Sequence, residues 1–425
     1  MPPSRLPRPS AARKFLDLPS HLASFLRLDL SQLALESGAV QRWRVLQDGA
    51  QLLGLCLTYT LCALALAPCA RIAPGRRALG ESALRSRLSA AAPFVEALLG
   101  RLLAHRLRRF RRAGPGLRLY DTSTVQLPGG DRYRVHASVD PTRAEAVGLE
   151  LTDASSGEWM DHATFGPGDV VLADRGLGRV AEFFTIEERR AYALMRVHLP
   201  NVPMASELRT TAFAVTRRAC AGELETDVTL EHPTDKTRSL AARLVVVPLP
   251  PEQAARARQG VRKAAKKRKR APDAVTLRLA GYVVLLSTVP THVADARTLA
   301  SWYRLRWQVE LFFKRCKSLM KLVPRKKVGQ ALARTLLLTS LLTAVWLTAQ
   351  IPDDVPSVWR ALATLVTMVC ASWLASAAER LGREWLTEGA KLGGRERAGR
   401  ARAREAALQA LEVLREAGRK GCLVA

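Results

Sequence analysis

The chain has 425 residues, of which 48 % are hydrophobic, and a formal net charge of +28 with a pI near 10.8. That hydrophobic content excludes a disordered chain, and the length suffices for two or three domains around a substantial core. A folded protein with so large a cationic excess needs an anionic partner or bears strong self-repulsion; nucleic acid is the first candidate, a membrane surface the second.

In chain order, the opening "MPPSRLPRPSAARK" is basic and proline-rich, without the apolar run of a secretory signal. Two apolar stretches, "LLGLCLTYTLCALALA" (52–67) and "TLLLTSLLTAVWLTA" (335–349), resemble membrane spans. Both fall short of the ~20 residues that cross a bilayer, so both are expected as buried helices of a soluble core. Residues 1–112 read as a helical, basic region that "AGPG" (113–116) stops. The seven cysteines include no CxxC pair, and the spacing of Cys56, Cys62 and Cys69 fits neither a zinc site nor a disulfide framework. Reduced, buried thiols in a cytoplasm are the expectation, and zinc catalysis lacks spaced ligands.

Strand signals follow in "LRLYDTSTVQL", "YRVHASVD" and "AVGLELTD", then "VVLADRG", a helical "RVAEFFTIEERR" and "YALMRVHL". Three strands, then strand, helix and strand, make a mixed sheet with helices over 113–200. Over 201–291, "LETDVTLEH", "SLAARLVVVPL" and "VTLRLAGYVVLLSTV" suggest a second, antiparallel group. Within it "RARQGVRKAAKKRKR" (256–270) has nine basic residues and no acid. It reads as a solvated loop when unbound and, compatibly, as a phosphate-binding arm or helix ending in Lys266, Lys267, Arg268, Lys269 and Arg270. Residues 292–330 carry a helix of special composition, and 331–425 return to helix.

That special helix is "YRLRWQVELFFKRCK" (303–317), one acid among five basic residues. On a ~100° helical step, Tyr303, Arg306, Glu310, Lys314 and Lys317 share one arc. Leu305, Val309, Phe312, Cys316 and Leu319 take the opposite, buried one. A row of cations around one carboxylate suits a polyanion with a metal ion; an ordinary surface helix with i,i+4 ion pairs is the alternative. Trp307 borders the stripe and either stacks on a base or packs at the helix edge. Asp121 and Asp174 each stand where an apolar strand runs out. Taken separately, each is more often a turn or cap residue. Side by side, with Glu310 over them, they would form a carboxylate cluster that needs cations.

Tyr303, Arg306, Glu310 and Lys317 fit Y-(2)-R-(3)-E-(6)-K, which resembles the signature of the DDE transposases of the bacterial insertion-sequence-four group. "YDTSTV" resembles the block with the first aspartate, "PGDVVLADRG" that with the second, and "YRVH" and "YALMRV" the strands after each. Ordered matches run from about residue 80 to 325. Leu177 departs from the pattern, where relatives often carry tyrosine. The resemblance implies an α/β fold: a ribonuclease H-like mixed sheet with helices, interrupted by a β-rich insertion and flanked by N- and C-terminal helical regions. It implies cut-and-paste transposition through a DNA hairpin. Asp121, Asp174 and Glu310 would hold two Mg²⁺ ions, with Mn²⁺ able to substitute. Tyr303, Arg306, Lys314, Lys317 and Arg196 would contact DNA, with Trp307 as a stacking platform. His136 is either structural or a phosphate contact. The partners implied are double-stranded DNA, as element ends and as target, and a second copy of the chain once DNA is bound; no membrane is expected. The location implied is the bacterial cytoplasm, at the nucleoid. Two rivals are a degenerate, non-cutting DNA-binding protein and a basic membrane-associated one.

Overall fold

The computed structural model describes residues 18–62, 79–111, 115–199, 224–320, 327–351 and 357–370, with isolated positions between them. The helical expectation for 371–425 lies outside the described residues. The described helices ahead of the sheet include α1 (Leu18–Leu26), α2 (Leu30–Glu36), α3 (Gly49–Leu61), α4 (Glu81–Ala90) and α5 (Ala92–Arg111). Asp29 caps α2 through the Ser31 and Gln32 amides, and Asp48 caps α3 through that of Gln51, satisfying donors a helix start leaves open.

The strands are β1 (Leu117–Gln126), β2 (Arg132–Asp140), β3 (Glu145–Asp153), β4 (Val170–Ala173) and β5 (Tyr192–Arg196), with α6 (Val180–Glu188) between the last two. β6 (Leu224–Glu231), β7 (Ser239–Pro248) and β8 (Tyr282–Ser287) follow, and between β7 and β8 lie α7 (Pro251–Lys267) and α8 (Ala274–Leu279). All eight strands form one sheet in the order β3-β2-β1-β4-β5-β8-β7-β6. β1, β4 and β5 are parallel; the other pairings are antiparallel. The expected antiparallel group therefore forms but is not detached, because β8 bonds to β5 and continues the sheet. The stretch "VTLRLA" is helical rather than a strand: Asp273 accepts from the Thr276 amide at 2.8 Å and starts a helix despite its β-branched residues. The basic segment 256–270 is not a loop either, since most of it lies in α7.

Alternation along β1 sorts the two cores. Leu119 faces one side with Leu172, Leu194, Val245 and Leu285, over which the N-terminal helices pack. Tyr120 faces the other with Val171, Ala193 and Leu286, covered by Phe183, Phe184 and Ile186 of α6. The first side also holds α9 (Ala296–Arg304), α10 (Trp307–Ser318) and α11 (Gln330–Thr348), and α12 (Val358–Cys370) follows. Among the described residues α11 alone is long and apolar enough to cross a membrane, yet 89 % of that window is buried inside the protein. Its threonines are satisfied internally: the Thr339, Thr343 and Thr348 hydroxyls each donate to the carbonyl four residues back at 2.7 Å, and Thr335 donates to Leu88 of α4. Cys56, Cys69 and Cys316 are buried free thiols.

Below the carboxylate end of the sheet, Arg118 is buried between Asp140 (3.2 Å) and Asp169 (3.1 Å). Asp169 also accepts from the Gly116 and Gly166 amides. Removing one partner of a buried pair leaves the others uncompensated. Arg118→Leu should therefore lower stability by about 3–5 kcal/mol, read as a large drop in thermal midpoint. A shift no larger than that of an exposed Arg→Leu control would show that these pairs do not hold the sheet.

Candidate active site

β1 and β4 pair in parallel, with Leu117 opposite Val170 and Leu119 opposite Leu172. Carried two residues further, that register sets Asp121 level with Asp174 on the neighbouring chain segment. Both carboxylates then share the face of Leu119 and Leu172, the face on which α10 buries Val309, Phe312, Phe313 and Cys316. The segment 303–317 is not one continuous helix. α9 ends at Arg304 and α10 begins at Trp307, joined by i→i+3 bonds such as Arg306 N–H to Tyr303 O (3.1 Å) and Val309 N–H to Arg306 O (3.1 Å). The junction still delivers Tyr303, Arg306 and Glu310 to the aspartates. Arg315, counted among the cations of this segment, turns inward and is buried.

The Tyr303 hydroxyl donates to Asp174 Oδ1 at 3.1 Å. Arg306 spans the gap, with Nη2 2.5 Å from Glu310 Oε1 and Nη1 3.7 Å from Asp121 Oδ2. The Thr122 amide donates to Asp121 Oδ1 at 2.8 Å. Burial pushes the Asp121 carboxyl up to about 6, against the pull of the Thr122 amide and Arg306, while Asp174 and Glu310 push it further up. Burial acts on Asp174 in the same direction, but the Arg175 amide, Arg306, the Tyr303 hydroxyl and Arg196 outweigh it and hold that carboxyl below its ordinary value. Burial and the Asp174 charge raise the Tyr303 phenol above its usual range.

Oxygen donors of this kind suit a hard divalent cation. A positive charge, the Arg306 guanidinium, is already held between Asp121 and Glu310. Among the described residues no three His, Cys, Asp or Glu side chains converge closely enough to hold a metal as they stand. With Arg306 withdrawn, Asp121, Asp174 and Glu310 are the carboxylates available to such an ion. The turn after Asp174 is tight: Leu177 N–H donates to Asp174 O at 2.9 Å. A Cβ on Gly178 would stand 2.3 Å from the Arg196 carbonyl, so only glycine fits there. Leu177 is buried in the second core, where its apolar side chain packs.

Sequence reasoning missed a bracket around the two aspartates. Glu158 Oε1 accepts from the Thr122 hydroxyl at 2.9 Å and lies 3.8 Å from Arg134. The Arg179 guanidinium donates to the Glu158 carbonyl, pairs with Glu182 at 3.2 Å and lies 4.1 Å over the exposed Trp159 ring. The only linear hint is an acid beside a tryptophan in the loop before the second aspartate block.

The remaining expected residues divide. Arg196 ends β5 beside Asp174, and with Arg175, His198 and Tyr282 lines a cavity of about 210 Å³. Trp307 is 57 % exposed. Lys317 is exposed, and Lys314 Nζ lies 5.6 Å from the Trp359 ring centroid. Lys266 and Lys267 close α7, Arg268, Lys269 and Arg270 follow, and all five are exposed. His136 is 1 % exposed, with Nδ1 on the Tyr120 hydroxyl (2.8 Å) and Nε2 on Thr152 (2.9 Å), so both ring nitrogens are engaged within the sheet. Burial, His162 and Arg134 lower its pKa to about 4.

Known proteins show the same pattern of similarity. Residues 132–346 match the family model described as "Transposase DDE domain". The chain is 32 % identical over 336 residues to the putative transposase InsL for insertion sequence element IS186A of Escherichia coli K12, covering 76 % of this chain and 90 % of that protein. It is 31 % identical over 337 residues to the transposase for insertion sequence element IS421 of Escherichia coli, with the same coverage. The extent of both matches places the chain in a family: it is a member of the DDE-domain transposases.

Proposed function

We propose that this transposase cuts out and rejoins an insertion sequence of the insertion-sequence-four type, acting on double-stranded DNA at the element ends and at the target. The observation that carries the reading is the parallel β1–β4 register, which carried two residues on sets Asp121 level with Asp174, with Arg306 bridging Asp121 to Glu310 and the Tyr303 hydroxyl donating to Asp174. Asp121, Asp174 and Glu310 would hold divalent ions, for which we assign two Mg²⁺ with Mn²⁺ as a substitute. Such ions supply Lewis-acid activation of the attacking oxygen and stabilisation of the leaving one. The chain's own groups do the rest. Arg306 exchanges its carboxylate partners for a DNA phosphate, and Lys317 and Lys314 extend that contact along α10. Tyr303, which donates to Asp174, keeps a hydroxyl beside the scissile group, and Arg196 adds positive charge beside the Asp174 carboxylate. Water and then a 3′-hydroxyl are the nucleophiles, and no covalent enzyme intermediate forms. Two copies assemble on DNA, in the cytoplasm at the nucleoid. The segment carrying β6–β8 is the β-rich insertion of this fold, and residues 1–112 form its N-terminal DNA-binding region.

The triad is tested by Asp121→Asn, Asp174→Asn and Glu310→Gln. Each should abolish metal-dependent cleavage of DNA bearing the native element ends and leave DNA binding nearly intact. Undiminished cleavage in any one variant removes that residue from the reacting site.

The tail of α7 is tested by salt. Replacing four of Lys266, Lys267, Arg268, Lys269 and Arg270 with glutamine should weaken binding to all sequences alike, and make the log affinity–log salt slope shallower by about 0.9 per lost contact. Lost sequence preference at an unchanged slope speaks against phosphate contact.

Trp307 addresses the hairpin. Taking a base out of the stack costs a few kcal/mol, and an aromatic platform returns roughly 1–3 kcal/mol. Trp307→Ala should spare the first nick and slow hairpin formation about ten- to a hundredfold, at ~1.4 kcal/mol per decade. A time course on a pre-nicked end decides: equal slowing of both steps assigns Trp307 to packing.

A further inference from the structure

The end of the molecule away from the carboxylates holds a second concavity, of about 380 Å³, between the C-terminal end of α1 and one face of α5. Its position follows from Arg106 on α5, which pairs at 2.7 Å with Glu145 at the start of β3. Glu145 stands opposite Asp140, and Asp140 pairs with Arg118 at the beginning of β1. The carboxylates lie past the opposite end of β4.

Three arginines line this cavity. Arg101 and Arg108 stand on α5 on either side of His105, at i, i+4 and i+7, and so share a helix face. Arg27 comes from the turn after α1. Among the described residues no carboxylate pairs with Arg27, Arg101 or Arg108, whereas Arg106, one turn along, is neutralised by Glu145. Guanidinium groups stay charged at any working pH, so three of them around one hollow repel one another until an anion enters. The floor is apolar. Phe25 is 42 % exposed, its ring lying edge-on to His105 (4.8 Å between centroids) and to the buried Trp346 (4.9 Å).

Backbone conformation adds an independent sign. Arg27 ends α1 with φ +54°, the left-handed region where a helix terminus usually places glycine. Leu28 N–H closes that turn on Ala23 O at 3.0 Å. A long cationic residue stands where glycine fits the backbone better, at the lining of the cavity. An outlier of that kind leads to a role for the side chain.

We infer that, within the N-terminal region proposed above to bind DNA, Arg27, Arg101 and Arg108 form one specific contact, which takes a backbone phosphate of duplex DNA remote from the carboxylates, with the adjoining sugar or base against Phe25. A volume of this size suits a nucleotide-sized group rather than a lone ion, and arginine forks fit phosphate oxygens in pairs. The inference rests on DNA being the substrate; it does not require the carboxylates to cut it.

The test uses the full chain, a labelled duplex of generic sequence, and a chelator so that no cutting occurs; binding is followed by anisotropy across a range of salt. The Arg101→Gln/Arg108→Gln variant should bind on the order of tenfold more weakly, with a log–log salt slope shallower by about 0.9 for each lost contact. The matching Arg101→Lys/Arg108→Lys variant should keep most of the slope. Arg27→Gly keeps folding separate from contact: relief of the left-handed backbone should raise the thermal midpoint while the salt slope falls. An unchanged slope in the glutamine variant, an equal fall in the lysine variant, or an Arg27→Gly protein that gains stability and binds as before would each overturn the assignment. Cleavage by the wild type with Mg²⁺ is measured separately, so a failure there counts against the proposed reaction and not against this contact.

Discussion

Everything at the carboxylate end depends on the parallel pairing of β1 with β4. Neither strand alone makes a site, and a shift of one residue would turn Asp121 or Asp174 to the opposite face. The register is pinned at the other end of the same strands. Arg118 joins Asp140 on β2 to Asp169 just before β4, and Asp169 takes two further backbone amides. A buried ion-pair network is weak evidence for net stability but can specify register. Here it sits where register is decided, several residues before the place where register is used.

The second constraint is electrostatic. Asp121, Asp174 and Glu310 are near enough to disturb one another, and burial acts against the charge of both aspartates. The two aspartates nevertheless shift in opposite directions. Asp174 is supplied with an amide, a phenol and two arginines, whereas Asp121 has one amide and the longer of the Arg306 contacts. Arg306 therefore sets the local charge balance. Tyr303 and Glu310 lie on separate helices on either side of Arg306, so the arginine reaches both because the junction between α9 and α10 is tight.

Much of this was legible in the sequence. Period-two runs marked the strands, and an acid closing an apolar strand marked Asp174; Asp121 instead lies in the middle of β1, which runs on five residues to Gln126 because Val125 returns to the core. The apolar back of α10 and the buried character of α11 followed from pattern and length. What stayed hidden depends on contacts distant in sequence or on single hydrogen bonds. Glu158 reaches Thr122 from a loop 36 residues away, and no spacing announces it. The α9–α10 break carries neither glycine nor proline, so a wheel drawn through it runs on smoothly. Val275 and Thr276 looked like strand residues until the Asp273 cap turned them into a helix. His136 stayed open between a structural and a phosphate-contacting reading because its partners, Tyr120 and Thr152, lie on neighbouring strands.

The continuity of the sheet through β5 and β8 makes the molecule a ruler. α7 springs from the end of β7, and β7 is bonded to β8, which is bonded to the strand beside Asp174. The cations at 266–270 thus stand at a fixed distance and angle from the carboxylates instead of floating on a linker. Deleting one residue within α7 would draw that tail back by about 1.5 Å and turn it by roughly 100°. Length in this segment is thereby tied to the helical phase of whatever lies along it, so α7 should tolerate insertions and deletions far less well than its exposed, solvated composition suggests.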